Sequence, residues 1–442
     1  MVQNTQYQHC AVSDRGGIVE NTHQIHVAVT DSSGKLLYGV GNPSRMTLAR
    51  SAAKPLQILA LLETKGFDKF GFSDADVALM CSSHSSEQSH ITHGSEMLTK
   101  IDALEGDLRC GGHPALSDEV NNDWIKRAFI PGALCNNCSA KHIAMLAGAK
   151  LIDPETTKDY HKEDHLIQLY VKLAFEEVTG LGSDDIKWGI DGCNLPAPAL
   201  PLRDLSYSYA VLAHAADCAS GDAESQASAR QQHLAHIYRC MWQFPEMVAG
   251  KGRFCTELMF QYKGAVVGKL GADGCYGIAI RECEQTRSLG AKGGLGIAVK
   301  VEDGNVEILY AVVVEILERL GIGSPQQIKS LEAFHHLSRV NTAGGFALNR
   351  GLERPHPSSL APMMRYLPFS FEQGSHCPCA SLDCDIESPP AVFYGDTEES
   401  AGALVSGQVV LIVEDDVIFG KSIGRHLEPT FVTLATVSSL MS

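Results

Sequence analysis

The residues most able to do chemistry are a serine and a lysine three positions apart, Ser51 and Lys54. A serine hydroxyl is a weak nucleophile until a nearby base takes its proton. A side chain three residues later on a helix lies on the same face one turn on, so Lys54 can be that base. The apolar run 58–62 predicts this helix. It also predicts an apolar environment of low dielectric, which disfavours the charged form of a lysine. Alternatively, Ser51 only starts a helix and Lys54 is a surface residue, because Ser-x-x-Lys often arises by chance.

Two further segments could bring reactive groups to the same place. Residues 81–87 follow the apolar run 77–80, which we interpret as a buried strand, and they predict an exposed turn that carries Ser83 and His84. An ordinary polar loop fits this composition as well. Lys269 leaves a predicted strand into a glycine-rich turn, where close backbone approach lets it reach a cleft. The alternative for Lys269 is an exposed lysine at the end of a strand.

The cysteines suggest a metal site with an open position. Cys135 and Cys138 have the spacing of a metal knuckle, but a closed zinc site needs a second pair. The nearest second set is His376, Cys377, Cys379 and Cys384. A three-ligand site fits better, with Cys193 as a further thiolate and Asp191 as a carboxylate behind it.

Composition excludes several classes of function. The chain has 442 residues and a net charge of −16, with no run of Lys or Arg. Nucleic-acid binders present a basic face, so we expect no nucleic-acid partner. The N-terminus lacks the basic and apolar regions of a secretory signal, and no apolar stretch reaches the ~18 residues of a membrane span. We therefore expect a cytoplasmic protein, not bound to membranes, with reduced cysteines.

The predicted elements indicate an α+β fold. Residues 17–41 alternate as a β-hairpin, and helices are predicted after Ser51, near 141–146 and over 165–178. Residues 264–280 and 290–310 predict strands, two of them in the second range around a turn at 302–305, followed by a helix near 312–320. The strands and helices do not alternate regularly as in βαβ units, which favours the α+β class.

Three regions follow from the composition. We predict a catalytic domain over 1–335, a linker or disordered segment over 336–408, and a fragment over 409–442. The last region resembles the first strand and helix of a response-regulator receiver domain. It is about ninety residues short of a complete one, so a truncated fusion or a gene-model artefact is the preferred interpretation.

The ordered motifs between residues 10 and 325 resemble the asparaginase II family, the class 3 or rhizobial-type L-asparaginases. The segments that carry the resemblance are 17–20 with His23, 50–55, 81–85, 110–114, 136–142, 191–193 and 268–274. The resemblance implies a fold similar to serine β-lactamases and glutaminases, with a mixed sheet and helices. It also implies hydrolysis of L-asparagine to aspartate and ammonia by a homodimer.

The same resemblance implies roles for individual residues. It pairs Ser51 with Lys54 and Ser83 with Lys269 for catalysis. A zinc ion would be held by two cysteines, a lysine and water, with Asp191 orienting the lysine; the zinc ligands are Cys138, Lys141 and Cys193. The implied substrate-binding residues are Glu20, His23, Arg50, His84, Asn137 and Asp273.

We expect a covalent route in which a serine attacks the carboxamide carbon, with Ser51 as the favoured nucleophile because its base is local. Ser83 is a close rival, and the two pairs could form a relay. A β-lactamase or penicillin-binding-type acylase is the alternative enzyme, although no Lys-Thr-Gly tripeptide is present. A signalling protein with a non-catalytic core is the alternative from another class.

Overall fold

The computed structural model describes residues 9–15, 18–219 and 227–337, together with the backbone of two short strands at 362–366 and 372–373. The chain divides into two compact units, Met1–Leu382 and Asp383–Ser442. All described residues belong to the first unit. The predicted receiver-like fragment at 409–442 lies outside them.

Eleven strands are present among the described residues, and they are numbered in chain order. They are β1 (Cys10–Arg15), β2 (Ile18–Asp31), β3 (Leu36–Val40), β4 (Met46–Leu48), β5 (Lys187–Ile190), β6 (Pro196–Pro201), β7 (Val266–Gly271), β8 (Cys275–Ile280), β9 (Leu295–Val301), β10 (Pro362–Tyr366) and β11 (Glu372–Gln373).

Sixteen α-helices accompany them in the same part of the chain. They are α1 (Lys54–Gln57), α2 (Leu59–Glu63), α3 (Gly66–Phe70), α4 (Asp74–Met80), α5 (Gln88–Lys100), α6 (Asp118–Lys126), α7 (Ser139–Ile152), α8 (Leu166–Thr179), α9 (Leu202–Cys218), α10 (Ala229–Gln243), α11 (Pro245–Val248), α12 (Phe254–Tyr262), α13 (Glu284–Ser288), α14 (Val306–Arg319), α15 (Pro325–Ser330) and α16 (Glu332–His335).

The main sheet is antiparallel throughout. Its strands follow the order β10-β1-β2-β9-β8-β7, and β3 pairs with the second half of β2 and with β11. A separate sheet of three short strands has the order β4-β6-β5. With helices on the sheet and only antiparallel pairs among the described strands, the α+β class expected from the sequence is confirmed.

Helices cover both faces of the main sheet. Tyr276 in β8 packs its ring against Phe254 of α12 and Tyr310 of α14. The next residue, Gly277, faces Tyr209 of α9, because successive strand residues point to opposite sides. Every residue of β8 and β9 is therefore buried, which is why these strands are almost entirely apolar. Lys300 in β9 is the exception, and its amine donates to the carbonyl of Val301.

Two sequence expectations about elements are wrong. The apolar residues before the Ser83 turn form helix α4 and not a strand, and Ser73 and Asp76 form a capping box at its start. In 290–310 there is one strand, β9, and the second expected strand is the beginning of α14. The Asn305 side chain accepts a hydrogen bond from the Ile308 N–H and starts this helix, which buries its β-branched residues against the sheet.

The other expected elements are present. β2 and β3 form the predicted hairpin, α7 and α8 match the predicted helices, and Lys269 lies near the end of β7. Within 336–408, the segments β10 and β11 pair with strands of the main sheet. The domain boundaries themselves stay a prediction.

Candidate active site

The turn that carries Ser83 follows α4 and is anchored on two sides. The Ser83 N–H donates to the carbonyl of Val248 at 3.0 Å, and the Ser85 hydroxyl donates to the carbonyl of Ala249 at 2.9 Å. On the other side, the Ser86 hydroxyl donates to the carbonyl of Cys135 at 2.7 Å. The position of the Ser83 hydroxyl is therefore fixed by two distant chain segments.

Two buried lysines approach the Ser83 hydroxyl. Lys269 Nζ lies 2.9 Å and Lys54 Nζ lies 3.4 Å from Ser83 Oγ. Lys54 is fully buried, Lys269 is 1% exposed and Ser83 is 6% exposed. The structure thus brings both predicted lysines to a single serine.

The surroundings of Lys269 favour its neutral amine. Burial lowers its pKa to about 7, and the nearby charge of Lys54 acts in the same direction. Its amine also donates to the carbonyl of Leu270 at 2.7 Å. A lysine in this environment is unprotonated in a large fraction of molecules near neutral pH.

Lys54 has a different set of partners. Besides Ser83 Oγ, its amine donates to the carbonyl of Ser82 and, at 3.4 Å, to the carbonyl of Asn137. Three acceptors match the three N–H donors of an ammonium group. Within the described residues, Ser51 Oγ makes no hydrogen bond, so the Ser51–Lys54 pair stays a prediction, and the contact that the structure does show for Lys54 is with Ser83.

The three predicted zinc ligands lie together. Cys138 caps the start of α7, Lys141 follows one turn on, and Cys193 lies in the turn after β5. Cys138 and Lys141 both hydrogen-bond to the sulfur of Cys193. The hydrogen bond from Cys138 lowers the pKa of Cys193 to about 6, and Lys141 contributes to the shift. Burial would lower the pKa of Lys141, but Cys193, Cys138 and Asp191 outweigh it and raise that pKa.

A chain of charges leads from these cysteines to the surface. Arg50 Nε donates to Asp191 Oδ1 at 2.7 Å, and the same guanidinium pairs with the exposed carboxylate of Asp273. Although burial opposes it, the charges of Lys141 and Arg50 lower the pKa of Asp191. The expected carboxylate beside Lys141 is therefore ionised and shared with an arginine.

Two of the implied substrate-binding residues make contacts that hold the site together. His84 is fully buried, and Nδ1 accepts from the Ser86 N–H while Nε2 lies 2.9 Å from Ser139 Oγ. Burial keeps its pKa well below the usual value, so the ring is neutral. The side-chain oxygen of Asn137 accepts from Cys138 Sγ at 3.1 Å. Substrate binding by either residue stays a prediction.

Of the six implied substrate-binding residues, which include Arg50 and Asp273 above, Glu20 and His23 lie on β2. His23 is buried and its Nδ1 lies 2.5 Å from Asp303 Oδ2, in the turn that packs beside Asp273. Glu20 is exposed and lies three residues nearer the start of the strand. Because a strand rises ~3.3–3.4 Å per residue, Glu20 lies ~10 Å from His23. This part of β2 pairs only with β1 among the described strands.

Sequence reasoning missed the residues that hold the turn before Cys138. His113 Nε2 accepts from the Asn137 N–H at 3.0 Å, and Asn136 Oδ1 accepts from the Cys138 N–H at 2.8 Å. Asn136 also donates to the carbonyls of Cys110 and Gly111. The only signal in the sequence is that His113 and Asn136 lie in two of the motifs, and no spacing links them.

Backbone strain accompanies the site. Arg50, Ser86, Asn194 and Asp273 all have positive φ, between 49° and 69°, which is unfavourable for residues other than glycine. Such strain persists where the surrounding structure enforces it, commonly at functional sites.

These residues occur in the order of a known family. The family model described as L-asparaginase II matches residues 11–346. The chain belongs to the L-asparaginase II family. The match includes every residue of the site described above, from Glu20 to Asp273. A comparison with curated proteins found no match.

Membership of the L-asparaginase II family gives the general chemistry of the site as hydrolysis of an amide of a small molecule. In the part of the chain that the structure describes, no helix has both the length and the apolar character to cross a bilayer.

Proposed function

We propose that this protein hydrolyses the side-chain amide of L-asparagine with Ser83 as the nucleophile and Lys269 as its base. The observation that carries the proposal is the position of Ser83 Oγ, 2.9 Å from Lys269 Nζ and 3.4 Å from Lys54 Nζ. A neutral amine beside a serine hydroxyl is a recognised way to activate that nucleophile.

The hydrogen-bond partners of the two lysines indicate which of them carries the extra proton. Unprotonated Lys269 keeps one N–H for the Leu270 carbonyl and accepts the Ser83 O–H with its lone pair. Lys54, with its three acceptors, donates to Ser83 Oγ and remains charged. The positive charge of Lys54 both disfavours protonation of Lys269 and stabilises a developing serine alkoxide.

The proposed reaction has two covalent steps. Ser83 Oγ attacks the carboxamide carbon, and its proton passes to Lys269. This lysine then protonates the leaving nitrogen, so ammonia departs and an aspartyl ester of Ser83 remains. Water attacks the ester carbon, gives a proton to Lys269, and the Ser83 oxygen leaves and takes that proton back. The sum is asparagine plus water giving aspartate plus ammonia, with the enzyme unchanged.

Negative charge on the carbonyl oxygen needs donors other than the backbone of Ser83. Its N–H is already bonded to Val248. Other backbone N–H groups near the serines, or the Lys54 ammonium, must therefore donate to the oxyanion. Each such donor typically contributes ~3–4 kcal/mol. Ser51 is half-buried one turn before Lys54, and we propose it as the other serine of the predicted relay.

The substrate is a zwitterion, and the rim of the site carries matching charges. The Arg50 guanidinium suits an α-carboxylate, and the exposed Asp273 carboxylate suits an α-ammonium. Both residues have strained left-handed backbones, which aim them at one another. We propose that asparagine separates this ion pair and takes its place between the two charges.

The residues around Cys138 fit a zinc ion. Two buried sulfurs and one amine form an N/S donor set of the kind that zinc prefers, with room for a fourth ligand. We propose Cys138, Lys141 and Cys193 as the ligands, with Asp191 holding Lys141 in place. A bound zinc would supply positive charge beside the cleft and would favour the unprotonated form of Lys141.

Separate Ser83→Ala and Ser51→Ala variants test the nucleophile. Each is incubated with asparagine, quenched, and examined by intact-protein mass spectrometry for the added aspartyl group, while ammonia release is followed in parallel. We expect Ser83→Ala to lose the adduct and to lower kcat/KM by about 10⁴-fold or more, since removing a nucleophile has effects of this size or larger.

The same experiment can refute the assignment. An adduct that persists in Ser83→Ala and disappears in Ser51→Ala would make Ser51 the nucleophile, as the sequence alone favoured. Acylation of the unchanged protein by a β-lactam, with no ammonia from asparagine, would instead favour the acylase. Homodimer formation stays a prediction, which light scattering of the same samples can check.

A further inference from the structure

A second cluster of metal-ligating side chains lies away from the Ser83 site, between α4 and α10. It consists of Asp74, His236 and Cys240, and one potential ligand atom from each lies within 4.8 Å of the other two. Asp74 Oδ1 is 2.7 Å from His236 Nε2. Cys240 is fully buried, and its thiol hydrogen-bonds to Asp74.

We propose that Asp74, His236 and Cys240 form a second metal site for a zinc-like divalent ion. His236 and Cys240 are four residues apart on α10, so they project from one face of the helix. Asp74 is the first residue of α4 and supplies the third ligand from outside α10. One sulfur, one imidazole nitrogen and one carboxylate oxygen suit zinc better than magnesium or calcium, which prefer oxygen alone.

The distances require only a small adjustment. Zinc bonds of ~2.0–2.3 Å place tetrahedral ligand atoms ~3–4 Å apart. The Asp74–His236 pair must open slightly from 2.7 Å, and the sulfur must approach from at most 4.8 Å. The ion would displace the proton of the Cys240 thiol and would bind His236 Nε2 with the ring proton on Nδ1, so both hydrogen bonds become metal bonds.

The site has an access route and one competing charge. His236 also lines a cavity of about 540 Å³, together with Phe67, Asp68, His233, Arg239 and Trp242. Water from this cavity can complete the coordination. Arg239 Nη2 lies 3.7 Å from Asp74 Oδ2, and its side chain is 54% exposed, so it can swing away when a cation binds.

The location gives the site a consequence for the rest of the protein. α4 ends at Met80, directly before the turn that carries Ser83. An ion that joins the first residue of α4 to α10 would fix the N-terminal end of α4. We therefore expect metal binding to raise the thermal midpoint of unfolding.

Zinc content tests the proposal without reference to asparagine hydrolysis. In a chain that carries Cys138→Ser and Cys193→Ser, which removes the thiols of the other centre, equilibrium dialysis against Zn²⁺ should leave one bound equivalent. Adding Cys240→Ala should remove it. Cobalt should give a thiolate charge-transfer band in the first protein and none in the second.

The chain offers a matched control on α9. Cys218 and His214 have the same four-residue spacing, and Cys218 Sγ lies 3.4 Å from His214 Nε2. Within the described residues, no third ligand joins them. Cys218→Ala should therefore leave the zinc content and the cobalt band unchanged. Arg239→Ala should tighten zinc binding, because it removes the cation that competes for Asp74.

Several results would overturn the proposal. One is that Cys240→Ala binds as much zinc as its parent, and another is that Cys218→Ala loses as much as Cys240→Ala. If the double cysteine variant does not fold, the comparison is made in the unchanged chain. There, Cys240→Ala must lose one equivalent of zinc that Cys218→Ala keeps. Retention of asparaginase activity by Cys240→Ala would show that a negative metal result leaves the proposed function intact.

Discussion

At the scale of single residues, the central feature is a pair of amines on one hydroxyl. Lys54 comes from the start of a helix and Lys269 from a strand 215 positions later, and both reach Ser83. Two buried cations cannot both remain charged at low cost, so one lysine gives up its proton. Under the proposed function, the charge of Lys54 helps to keep Lys269 in the neutral form that a base requires.

The first prediction concerns pH. Because Lys269 must be unprotonated to accept the Ser83 proton and burial lowers its pKa to about 7, kcat/KM for asparagine should rise about tenfold per pH unit below 7 and level off above it. A pH–rate profile from pH 5 to 9 measures this, with circular dichroism at each pH as the control for folding. A profile flat through neutral pH would exclude Lys269 as the base.

The second prediction concerns the cost of burying that lysine. The folded pKa lies below the unfolded one, so the penalty is complete below about pH 7 and disappears as pH rises towards 10.5. Lys269→Met should therefore abolish activity and raise the free energy of unfolding at pH 7. We expect a gain on the order of 1–3 kcal/mol, after the loss of the contacts with Ser83 and Leu270.

Urea denaturation at several pH values measures this gain. The advantage of Lys269→Met over the unchanged protein should shrink from pH 7 to pH 10. A Lys263→Met variant, which alters an exposed lysine at the end of α12, serves as the control and should show no such trend. A gain that grows with pH would contradict the burial argument.

At the scale of elements, the site depends on close packing of α9 against the main sheet. A Cβ on Gly296 in β9 would lie 1.9 Å from the carbonyl oxygen of Ser206, and one on Gly277 in β8 would lie 2.1 Å from the ring of Tyr209. Glycine at these positions lets the helix approach the strands. The Tyr209 hydroxyl in turn donates to the carbonyl of Ala52, beside Ser51 and Lys54.

The third prediction follows from this packing. Gly296→Ala should lower the free energy of unfolding by about 1–3 kcal/mol or more, because the added methyl group meets rigid backbone. Gly106→Ala is the matched control, since no atom lies within 4 Å of the position of its Cβ. Thermal melting of both variants measures the difference. Equal midpoints would show that α9 can move away from the sheet without cost.

Elements were also where local sequence patterns misled. The residues before the Ser83 turn are apolar and few, and periodicity cannot distinguish a short buried strand from a short buried helix. The capping box at Ser73 decides for the helix. In α14, β-branched residues favour a strand locally, but burial of one helix face against β9 outweighs this preference.

At the scale of the whole molecule, the two segments β10 and β11 complete the main sheet from a distant part of the chain. β10 covers the edge of β1, and β11 covers the edge of β3. Exposed strand edges promote wrong pairing with other chains, so covering them protects the fold. Both segments lie beyond residue 346, where the family match ends.

The fourth prediction concerns truncation of the chain at the boundary between the two compact units. A chain that ends at Leu382 keeps β10 and β11 and should retain both asparaginase activity and the thermal midpoint of the full chain. A chain that ends at residue 346 loses both strands and should unfold at lower temperature and aggregate more readily. Loss of activity in the longer fragment would mean that residues 383–442 support the catalytic unit.

Part of the architecture can be predicted from the amino-acid chain alone. The family, the α+β class, the hairpin of β2 and β3, and the helices α7 and α8 all follow from local patterns and ordered motifs. A motif fixes residue types, and amphipathic periodicity fixes which face of an element is buried. Both are properties of short stretches of chain, so no knowledge of the fold is needed.

Which reactive groups come into contact depends on the folded chain. Local spacing paired Ser51 with Lys54, whereas the fold directs Lys54 to Ser83 and brings Lys269 to the same oxygen. Likewise, nothing in the sequence joins Asp74 to Cys240, which are brought together by α4 and α10. Contacts between distant segments depend on how whole elements pack, and burial, which sets the pKa of Lys269, exists only once they have packed.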